Sequence, residues 1–500
     1  MIMVKRLFVF SVLLLSSLAV HARADKEFIA PAIVPEPVYS KISPTDYVPL
    51  KEVVLSCPDE DAPVWAERHL KEWYGEFAPK VLPVTGRKRA GKEGEYELEI
   101  GTNGVTVRAG TLRGVRYALY SLRQLAIPAR GTEKVGGWIA PVSSVKDGPD
   151  LAFRGIHICW FHETEPWEVE RLVRLAAYYK LNYAVIEPWG SFRSDVAPWY
   201  GWPDGSMTKA EIARIKAIAD DLGITLIPQI NVFGHATMSR GGAGKHAGLD
   251  FNPEYQPLFE PYGGWNWCLS NPATRDLLKN LIAELHEAFG NPPFFHIGGD
   301  EANPPSCPEC IKHPYSELFL NHIKALSETI VARGAKPMMW HDMLLRRGDP
   351  RWEGFYANGT EDTASGFLDF PRDIVICDWY YGGAREDYPT LDYFRSLGFP
   401  VLTCPWNNRE GIVVQSRRAH ETGLDGVLGT LWHHYFGGEL AMIYPTLANA
   451  AWKADPSYQG VRAYTFYNHL RQVGWDMGVT DPRRAGIWYD EIPPEPSLNN

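Results

Sequence analysis

The chain has 500 residues, with 60 acidic against 50 basic side chains and a formal net charge of −10. Apolar residues make up 45% of the chain and charged residues 22%, which is typical of a globular protein and excludes a disordered or fibrous one. The acidic balance without a basic stripe argues against a nucleic-acid partner, and the length predicts two or three domains, or one large barrel with an added module.

The first 24 residues have the pattern of a secretory signal peptide. Lys5 and Arg6 precede an apolar run over residues 7–20, and a small-x-small exit follows at residues 22–24. A membrane anchor is the alternative, but fourteen apolar residues are too few to cross about 30 Å of hydrocarbon as a helix. We therefore expect an exported protein, secreted or periplasmic, without a membrane span.

Residues 25–150 are predicted to form a small α+β domain. Two segments have helical spacing and two alternate like strands of a hairpin: 62–77 and 113–127, and 96–100 and 104–109. Residues 141–149 are rich in turn-forming side chains, so we expect them to link this domain to the next.

From residue 151 to residue 455, short apolar runs alternate with helical segments. Eight such runs within about 280 residues are the pattern of a (β/α)₈ TIM barrel. The runs cover residues 153–160, 182–188, 225–232, 294–298, 337–340, 374–379, 401–405 and 426–432. An open doubly wound sheet is the alternative, but no G-x-G-x-x-G motif follows the first run. Residues 456–500 are predicted to form a short C-terminal helical tail.

The ends of these runs carry the candidate chemistry, because the strands of such a barrel present catalytic side chains at their carboxyl ends. The fourth run ends in Asp300 and Glu301, after two glycines that let the adjacent carboxyls converge although side chains alternate along a regular strand. His235 follows the third run. Indoles end runs five, six and eight, at Trp340, Trp379 and Trp432. An aromatic cup around two acids suits a sugar ring, because burial among indoles favours a protonated, proton-donating carboxyl.

These motifs resemble glycoside hydrolase family 20, the β-N-acetylhexosaminidases. The H-x-G-G-D-E sequence at residues 296–301 is the specific part of the resemblance. Four other segments are similar to the family's domain boundary and to its first, third and fifth barrel strands: residues 104–125, 154–155, 228–235 and 339–343.

The resemblance implies a retaining mechanism in which the 2-acetamido oxygen of the substrate replaces an enzyme nucleophile. Asp300 would hold the acetamido N–H, and Glu301 would act as general acid and then as general base. His235 would support Glu301. No metal or organic cofactor is implied, and the substrate would be a glycan or glycoconjugate with a terminal N-acetylhexosamine.

Further positions are implied to hold the sugar. Arg154 would bind the ring hydroxyls, and the indoles of residues 340, 379 and 432 would wall the acetamido pocket. Six positions depart from the family pattern. Asn407 replaces a Tyr, His434 replaces a Glu, and Glu187 replaces a His of the second strand; Cys159, Gly190 and Arg409 each stand where the family has an Asp, or at position 409 an Asp or Asn. We expect retained chemistry with a shifted sugar preference, toward a galacto-configured, anionic or further-substituted residue.

A C-x-x-C motif follows Glu301 by six residues, at Cys307 and Cys310. In an oxidising compartment we expect a disulfide that clips the active-site loop. A zinc site with His313 and Cys268 is the alternative, although the sequence supplies only three of the four usual ligands near one another.

Two other classes of protein stay open. A metal-dependent barrel hydrolase is suggested by histidines at strand positions 157, 235 and 296. A non-hydrolytic carbohydrate-binding relative is suggested by the missing Tyr and Glu. The intact acid pair favours the hydrolase of family 20 over both.

Overall fold

The computed structural model describes residues 33–84, 91–130, 135–238, 244–261, 263–432 and 437–453. The predicted signal peptide and the predicted helical tail lie outside the described residues. Within them the strands form two sheets, of seven and eight strands. No helix of the described part is both long and apolar enough to cross a membrane.

The first sheet and its helices form the small α+β domain. Its strands are β1 (Tyr39–Pro49), β2 (Glu52–Ser56), β3 (Lys80–Pro83), β4 (Tyr96–Gly101), β5 (Gly104–Ala109), β6 (Ile127–Arg130) and β7 (Val135–Asp147). The spatial order is β1-β7-β4-β5-β2-β3, with β6 also paired to β7. Helices α1 (Ala62–Tyr74) and α2 (Leu112–Leu125) pack on this sheet.

The predicted linker over residues 141–149 is wrong for most of its length. Residues up to Asp147 belong to β7, which pairs antiparallel with both β1 and β4. Burial alternates along this strand, so that Ser143, Val145 and Asp147 are buried while Lys146 is exposed. The sequence predicts a linker here because it is rich in turn-forming residue types. In the strand, half of these polar side chains face solvent, where they are tolerated.

The second sheet is the predicted barrel. Its strands are β8 (Phe153–Phe161), β9 (Tyr183–Trp189), β10 (Thr225–Pro228), β11 (Phe294–His296), β12 (Lys336–Trp340), β13 (Val375–Trp379), β14 (Val401–Cys404) and β15 (Gly426–Gly429). Neighbouring strands pair in parallel in the order β10-β9-β8-β15-β14-β13-β12-β11. A parallel bridge between Gln229 and His296 joins the two ends, where the Ile230 N–H donates to the His296 carbonyl over 3.0 Å. The (β/α)₈ prediction is therefore confirmed.

Helices and short turns surround the barrel. The helices are α3 (Pro166–Tyr178), α4 (Lys209–Leu222), α5 (Gly248–Phe251), α6 (Pro272–Ala288), α7 (Tyr315–Ala332), α8 (Glu361–Gly366), α9 (Pro389–Ser396), α10 (Arg409–Thr422) and α11 (Gly437–Trp452). The 3₁₀ turns are Gly75–Phe77, Pro253–Leu258, Cys310–Lys312, Asp342–Leu344, Pro350–Trp352 and Phe367–Asp369. In α4 the buried positions 212, 215, 219 and 222 repeat with helical spacing, and Gly223 ends the helix in the left-handed conformation.

A buried polar network joins the barrel to the N-terminal domain. Trp452 donates from Nε1 to Asp147 Oδ1 over 2.7 Å, and Tyr96 donates to Asp147 Oδ2, also over 2.7 Å. The ammonium of Lys180 lies 2.9 Å from the Tyr96 hydroxyl and 3.4 Å from Asp147 Oδ2. This interface lies at the amino ends of the barrel strands, opposite the face that carries the candidate site.

Candidate active site

A cavity of about 410 Å³ opens at the carboxyl ends of the barrel strands. Its lining contains both predicted acids, the predicted histidine and all three predicted indoles. The lining residues are Trp189, His235, Lys245, Asp300, Glu301, Trp340, Tyr356, Trp379, Tyr381, Trp406 and Trp432. Its size suits one sugar residue with a substituent, and its walls are largely aromatic.

The backbone before the acid pair turns through left-handed conformations. Gly298 has φ 63° and Gly299 has φ 92°, and a Cβ at Gly298 would lie 2.1 Å from Asn231 Oδ1. Glu301 itself has φ 48°, which is costly for a residue with a side chain. Two hydrogen bonds hold Glu301 there: its N–H donates to Asp342 Oδ2 over 3.0 Å, and its carbonyl accepts Trp265 Nε1–H over 2.8 Å.

His235 lies between the two carboxylates. Its Nε2 is 3.3 Å from Asp300 Oδ2 and 3.3 Å from Glu301 Oε2. Burial lowers the pKa of His235, but the neighbouring Asp300 carboxylate outweighs it and raises this pKa to about 9. His235 is therefore an imidazolium at neutral pH, and its two acid partners converge on one ring nitrogen.

Asp300 is a buried carboxylate. Its burial favours the neutral form, but the nearby cations Lys245 and His235 hold the pKa of Asp300 well below its usual range. Lys245 Nζ lies 3.8 Å from Asp300 Oδ2. The other oxygen, Oδ1, is buried and has no hydrogen-bond partner among the residues that the structure describes. Asp300 thus lines the cavity as a carboxylate with one oxygen that lacks a partner among the described residues.

Glu301 does not have the burial that the sequence led us to expect. Its side chain is 46% exposed, whereas that of Asp300 is 9% exposed. Glu301 also lines the cavity, and it is the member of the pair with the left-handed backbone. The pair therefore divides into a buried anion and a half-exposed acid.

A buried ion pair includes the cavity residue Lys245. Lys245 Nζ is 2.6 Å from Glu187 Oε1, and the same oxygen accepts Asn231 Nδ2–H over 2.7 Å. His157 Nε2 and Trp189 Nε1 lie 2.9 and 3.2 Å from Glu187 Oε2. Burial would raise the pKa of Glu187, but Lys245 and His157 hold it well below its usual range. Glu187 therefore anchors Lys245, whose ammonium lies 3.8 Å from Asp300 Oδ2.

The histidines of the metal-hydrolase alternative do not form a ligand set. In the described chain His157 groups instead with Cys159 and Glu187. The Lys245 ammonium already neutralises that carboxylate at 2.6 Å. His296 accepts the Gly298 N–H at Nδ1 over 3.0 Å. A cation would have to displace Lys245, so this donor set does not fit a catalytic metal.

The aromatic wall is larger than predicted. Trp340 and Trp432 lie with ring centroids 6.1 Å apart, and Tyr356 stacks on Trp379 at 4.0 Å. Trp432 donates from Nε1 to the Tyr381 hydroxyl over 2.9 Å. Burial raises the pKa of Tyr381 well above its ordinary value, so this phenol stays protonated. Its hydroxyl also contacts Thr430, so two neighbours orient the phenol at the cavity wall.

The role expected for Arg154 is wrong. Arg154 is the second residue of β8 and lies at the amino end of the barrel, about 23 Å along the strand from Phe161. Its guanidinium is buried and donates to the Leu151 carbonyl over 2.6 Å, to the Tyr117 hydroxyl over 2.7 Å and to the Lys180 carbonyl over 3.2 Å. Arg154 therefore joins the barrel to the N-terminal domain and does not reach the cavity.

Asn407 and His434, which were also expected to bind the sugar, are not among the described residues of this site. Asn407 is half-buried next to Trp406 but does not line the cavity. His434 lies outside the described residues. A phenol does line the cavity, at Tyr381.

Five residues of this site were not predicted from the sequence: Trp189, Lys245, Asp342, Tyr356 and Tyr381. Trp189 ends β9 and follows the same strand-end pattern as Trp340, so this pattern could have identified it. Tyr381 follows Trp379 by two residues, which is a weaker signal. Lys245 comes from a glycine-rich segment without periodicity, and no sequence pattern indicates it.

Both the closed parallel barrel and the position of its cavity place this chain among the (β/α)₈ barrel proteins whose sites lie at the carboxyl face. The model of the glycosyl hydrolase family 20 catalytic domain matches residues 169–452, and the model of domain 2 of that family matches residues 30–147. The chain belongs to glycosyl hydrolase family 20.

Three curated relatives are similar in sequence. A β-hexosaminidase of Vibrio furnissii is 26% identical over 73% of this chain, a β-N-acetylhexosaminidase of Cellulomonas fimi 28% over 45%, and a lacto-N-biosidase of Bifidobacterium bifidum 24% over 63%. The matched regions cover 61%, 47% and 27% of these relatives respectively. The chain therefore spans less than two thirds of the length of each.

Solved structures share the fold. An exo-β-N-acetylglucosaminidase of Vibrio harveyi, in complex with N-acetylglucosamine, superposes with a TM-score of 0.68 at 17% identity, over 92% of this chain and 78% of that one. A β-N-acetylhexosaminidase of Bacteroides fragilis gives a TM-score of 0.66 at 19% identity, over 88% and 94%. At these identities the likeness establishes the shared architecture alone.

Proposed function

We propose that this chain hydrolyses the β-glycosidic bond of terminal N-acetylhexosamines with retention of the anomeric configuration. The observation that carries the proposal is the convergence of two adjacent acids on one histidine, with His235 Nε2 3.3 Å from Asp300 Oδ2 and 3.3 Å from Glu301 Oε2. That convergence takes place inside an aromatic cavity of about 410 Å³. The names of the relatives from Vibrio furnissii and Cellulomonas fimi agree with this activity.

Asp300 is proposed to orient the acetamido group. Its unpartnered Oδ1 would accept the acetamido N–H, which turns the acetamido oxygen toward C1. Attack of that oxygen develops positive charge on the oxazolinium, and the ionised Asp300 stabilises that charge. The cations that keep Asp300 ionised, Lys245 and His235, are the reason it can do so at neutral pH.

Glu301 is proposed to move the proton. In the first step it would protonate the leaving glycosidic oxygen, and in the second it would accept a proton from the water that opens the oxazolinium. The half-exposed position of its carboxyl supports both steps, because the leaving group departs through the mouth and water enters there. A bound sugar would cover this carboxyl and increase its burial.

The wall is proposed to hold the acetamido group and the ring. Trp340, Trp379 and Trp432 surround the acetamido methyl, while the Tyr381 proton reaches its carbonyl oxygen. Because Trp432 orients the Tyr381 hydroxyl at 2.9 Å, this donor is fixed before substrate binds. The shifted sugar preference expected from the sequence remains a prediction. Among the residues that the structure describes, these aromatic side chains are the ones that would determine it.

The test of the acid compares two leaving groups. Glu301→Gln should lower kcat/KM for a disaccharide substrate by about 100- to 10,000-fold, since the acid must protonate a sugar hydroxyl. The loss should be much smaller for a 4-nitrophenyl glycoside, whose leaving group needs little protonation. Glu287→Gln, on the exposed face of α6, is the matched control and should change neither rate. Equal losses for the two leaving groups would refute the role of Glu301.

The test of substrate assistance varies the 2-substituent. An aryl β-glycoside with a 2-hydroxyl should react about 1,000-fold more slowly than its 2-acetamido counterpart, because the intramolecular nucleophile is gone. Proton NMR of the early product should show the β-anomer. Comparable turnover of both sugars, or an α-anomer first, would contradict the proposal. Sugar binding without turnover by the unaltered chain would favour the non-hydrolytic relative.

Export from the cell, predicted from residues 1–24, stays a prediction that N-terminal sequencing of the mature protein can check.

A further inference from the structure

Three cysteines and one glutamate meet beside the loop that carries Glu301. Glu260 and Cys268 belong to the connection between β10 and α6, while Cys307 and Cys310 follow β11. Cys268 Sγ lies 3.7 Å from Cys307 Sγ and 3.7 Å from Cys310 Sγ. The ligand atoms of all four side chains lie within 4.8 Å of one another, and none of the four lines the active-site cavity.

The sulfur separations match ligands of one tetrahedral cation. Zinc–sulfur bonds of about 2.3 Å at tetrahedral angles place two sulfurs about 3.8 Å apart, whereas a disulfide bond requires about 2.05 Å. All three cysteines are free thiols in the structure, as are the other four of the chain. The structure therefore does not contain the disulfide clip expected between Cys307 and Cys310, and an odd number of thiols in the cluster would in any case leave one unpaired.

Glu260 supplies the fourth ligand that the sequence did not reveal. Its Oε2 accepts the backbone N–H groups of Ser306 over 2.6 Å and of Cys307 over 2.7 Å. These bonds fix the carboxylate so that Oε1 is buried, and Oε1 has no hydrogen-bond partner in the described part of the chain. A buried carboxylate oxygen without a partner is costly, and a bound cation removes that cost. His313, the ligand considered from the sequence, is exposed and lies outside the cluster.

Neighbouring donors suit thiolate ligands. The Cys310 N–H donates to Cys307 Sγ over 3.2 Å. The Ser270 hydroxyl accepts the Cys310 S–H over 3.1 Å, and it can donate to that sulfur once the thiol is deprotonated. Such donors spread the negative charge of metal-bound thiolates, and they orient the ligands before a cation binds. The C-x-x-C spacing itself is typical of zinc sites.

We propose that Glu260, Cys268, Cys307 and Cys310 bind one Zn²⁺ as a structural site. Four protein ligands leave no open coordination position, so the ion would not take part in hydrolysis. It would join the loops after β10 and β11, which already contact each other: Asn266 Nδ2 donates to the Asn303 carbonyl over 2.6 Å, and Trp265 binds the Glu301 carbonyl. The ion therefore fixes the loop that presents Glu301.

The test measures zinc in the purified full-length chain. The protein is expressed with added zinc, dialysed, and analysed by elemental mass spectrometry. We expect about one zinc per chain in the unaltered protein, loss of that zinc in Cys268→Ser, and full retention in Cys57→Ser, a half-buried thiol outside the cluster. Absence of bound zinc in the unaltered protein would overturn the proposal. So would an intact mass, measured without reductant, that is lower by two hydrogens and indicates a disulfide.

Cobalt substitution gives a readout that does not depend on the folding of a variant. Co²⁺ added to the metal-depleted, unaltered protein should produce thiolate-to-cobalt charge-transfer absorption of the strength expected for three sulfur ligands. Glu260→Gln should retain that band but bind the metal more weakly, by more than the about 10- to 100-fold that loss of a partner outside the coordination sphere costs. A cobalt spectrum without thiolate bands would refute the site. Metal content and spectrum are independent of turnover, so the zinc proposal and the proposed function can fail separately.

Discussion

The Glu301 N–H donates a hydrogen bond of 3.0 Å to Asp342 Oδ2, and this bond fixes the backbone of the proposed general acid. The same oxygen accepts Asn358 Nδ2–H over 2.9 Å, and Trp379 Nε1 lies 3.4 Å from Oδ1. Asp342 is buried, and burial together with the charge of Asp300 raises its pKa. One carboxyl thus connects the left-handed turn of the acid to the aromatic wall.

Replacement of Asp342 should impair the chemical step more than binding. In Asp342→Ala the Glu301 N–H loses its acceptor, and the costly left-handed turn relaxes. We expect kcat to fall by about 10- to 100-fold with a small change in KM, because misplacement of the acid affects the transition state. Steady-state kinetics with a disaccharide substrate measure this. Asp342→Asn keeps an acceptor oxygen and should retain most of the rate, so an equal loss in both variants would argue against the positioning role.

The Lys245–Glu187 pair should be strongly coupled. Lys245→Met leaves the Glu187 carboxylate buried without its cation, and we expect the free energy of unfolding to fall by about 3–5 kcal/mol. The double variant Lys245→Met/Glu187→Gln removes both charges and should recover most of this loss. Urea denaturation of the two single variants and the double variant gives the coupling free energy. Strictly additive effects would mean that the two side chains do not depend on each other.

The charge of His235 should make stability fall at alkaline pH. Its pKa is about 9 in the folded chain and about 6.5 when unfolded. A raised pKa stabilises the fold fully below pH 6.5, and this contribution is lost as the pH rises through 9. Linkage gives an upper limit of about 3 kcal/mol. Denaturant unfolding at pH 6 and pH 10 measures the difference, and His235→Gln should flatten it. An unchanged slope in that variant would assign the effect to another group.

Arg154 should matter for stability and not for sugar binding. Arg154→Met removes donors from two buried carbonyl groups and the Tyr117 hydroxyl, so we expect the free energy of unfolding to fall by about 3 kcal/mol. KM for the aryl substrate should stay unchanged at a temperature where the variant is folded. Trp379→Phe is the contrasting variant, with a raised KM and a smaller loss of stability. A raised KM in Arg154→Met would restore the role first expected for this arginine.

The apolar periodicity of the sequence predicted where helices and strands lie. It predicted less well which of these residues pair in a regular β-ladder. The predicted strand over residues 104–109 coincides with β5, because its alternating pattern is visible in the sequence and its burial alternates accordingly. The third barrel run was predicted to extend to Val232, but β10 ends at Pro228. Ile230 and Val232 are buried as the pattern requires, yet they bond to the β11 segment outside a regular ladder. The spacing of apolar residues therefore predicts which side chains are buried. Whether a residue joins a β-ladder depends also on the neighbouring strand.

The proposed site was predictable where it depends on strand ends and not where it depends on long loops. The acids, His235 and three indoles lie at the ends of predicted apolar runs or within a few residues after them, so counting the runs places them together. Lys245 reaches Glu187 across 58 residues of sequence, and only the folded loop reveals that contact. The error at Arg154 has a different origin: the motif match was followed although the predicted run over residues 153–160 already puts this residue at the amino end of its strand.

The position of Trp452 has a consequence for how the chain is made. This residue ends the last described helix, yet its indole belongs to the hydrophobic core of the N-terminal domain and bonds Asp147. During synthesis that domain emerges from the ribosome about 300 residues before the side chain that completes its interior. The first domain to leave the ribosome is thus the last to acquire its full core.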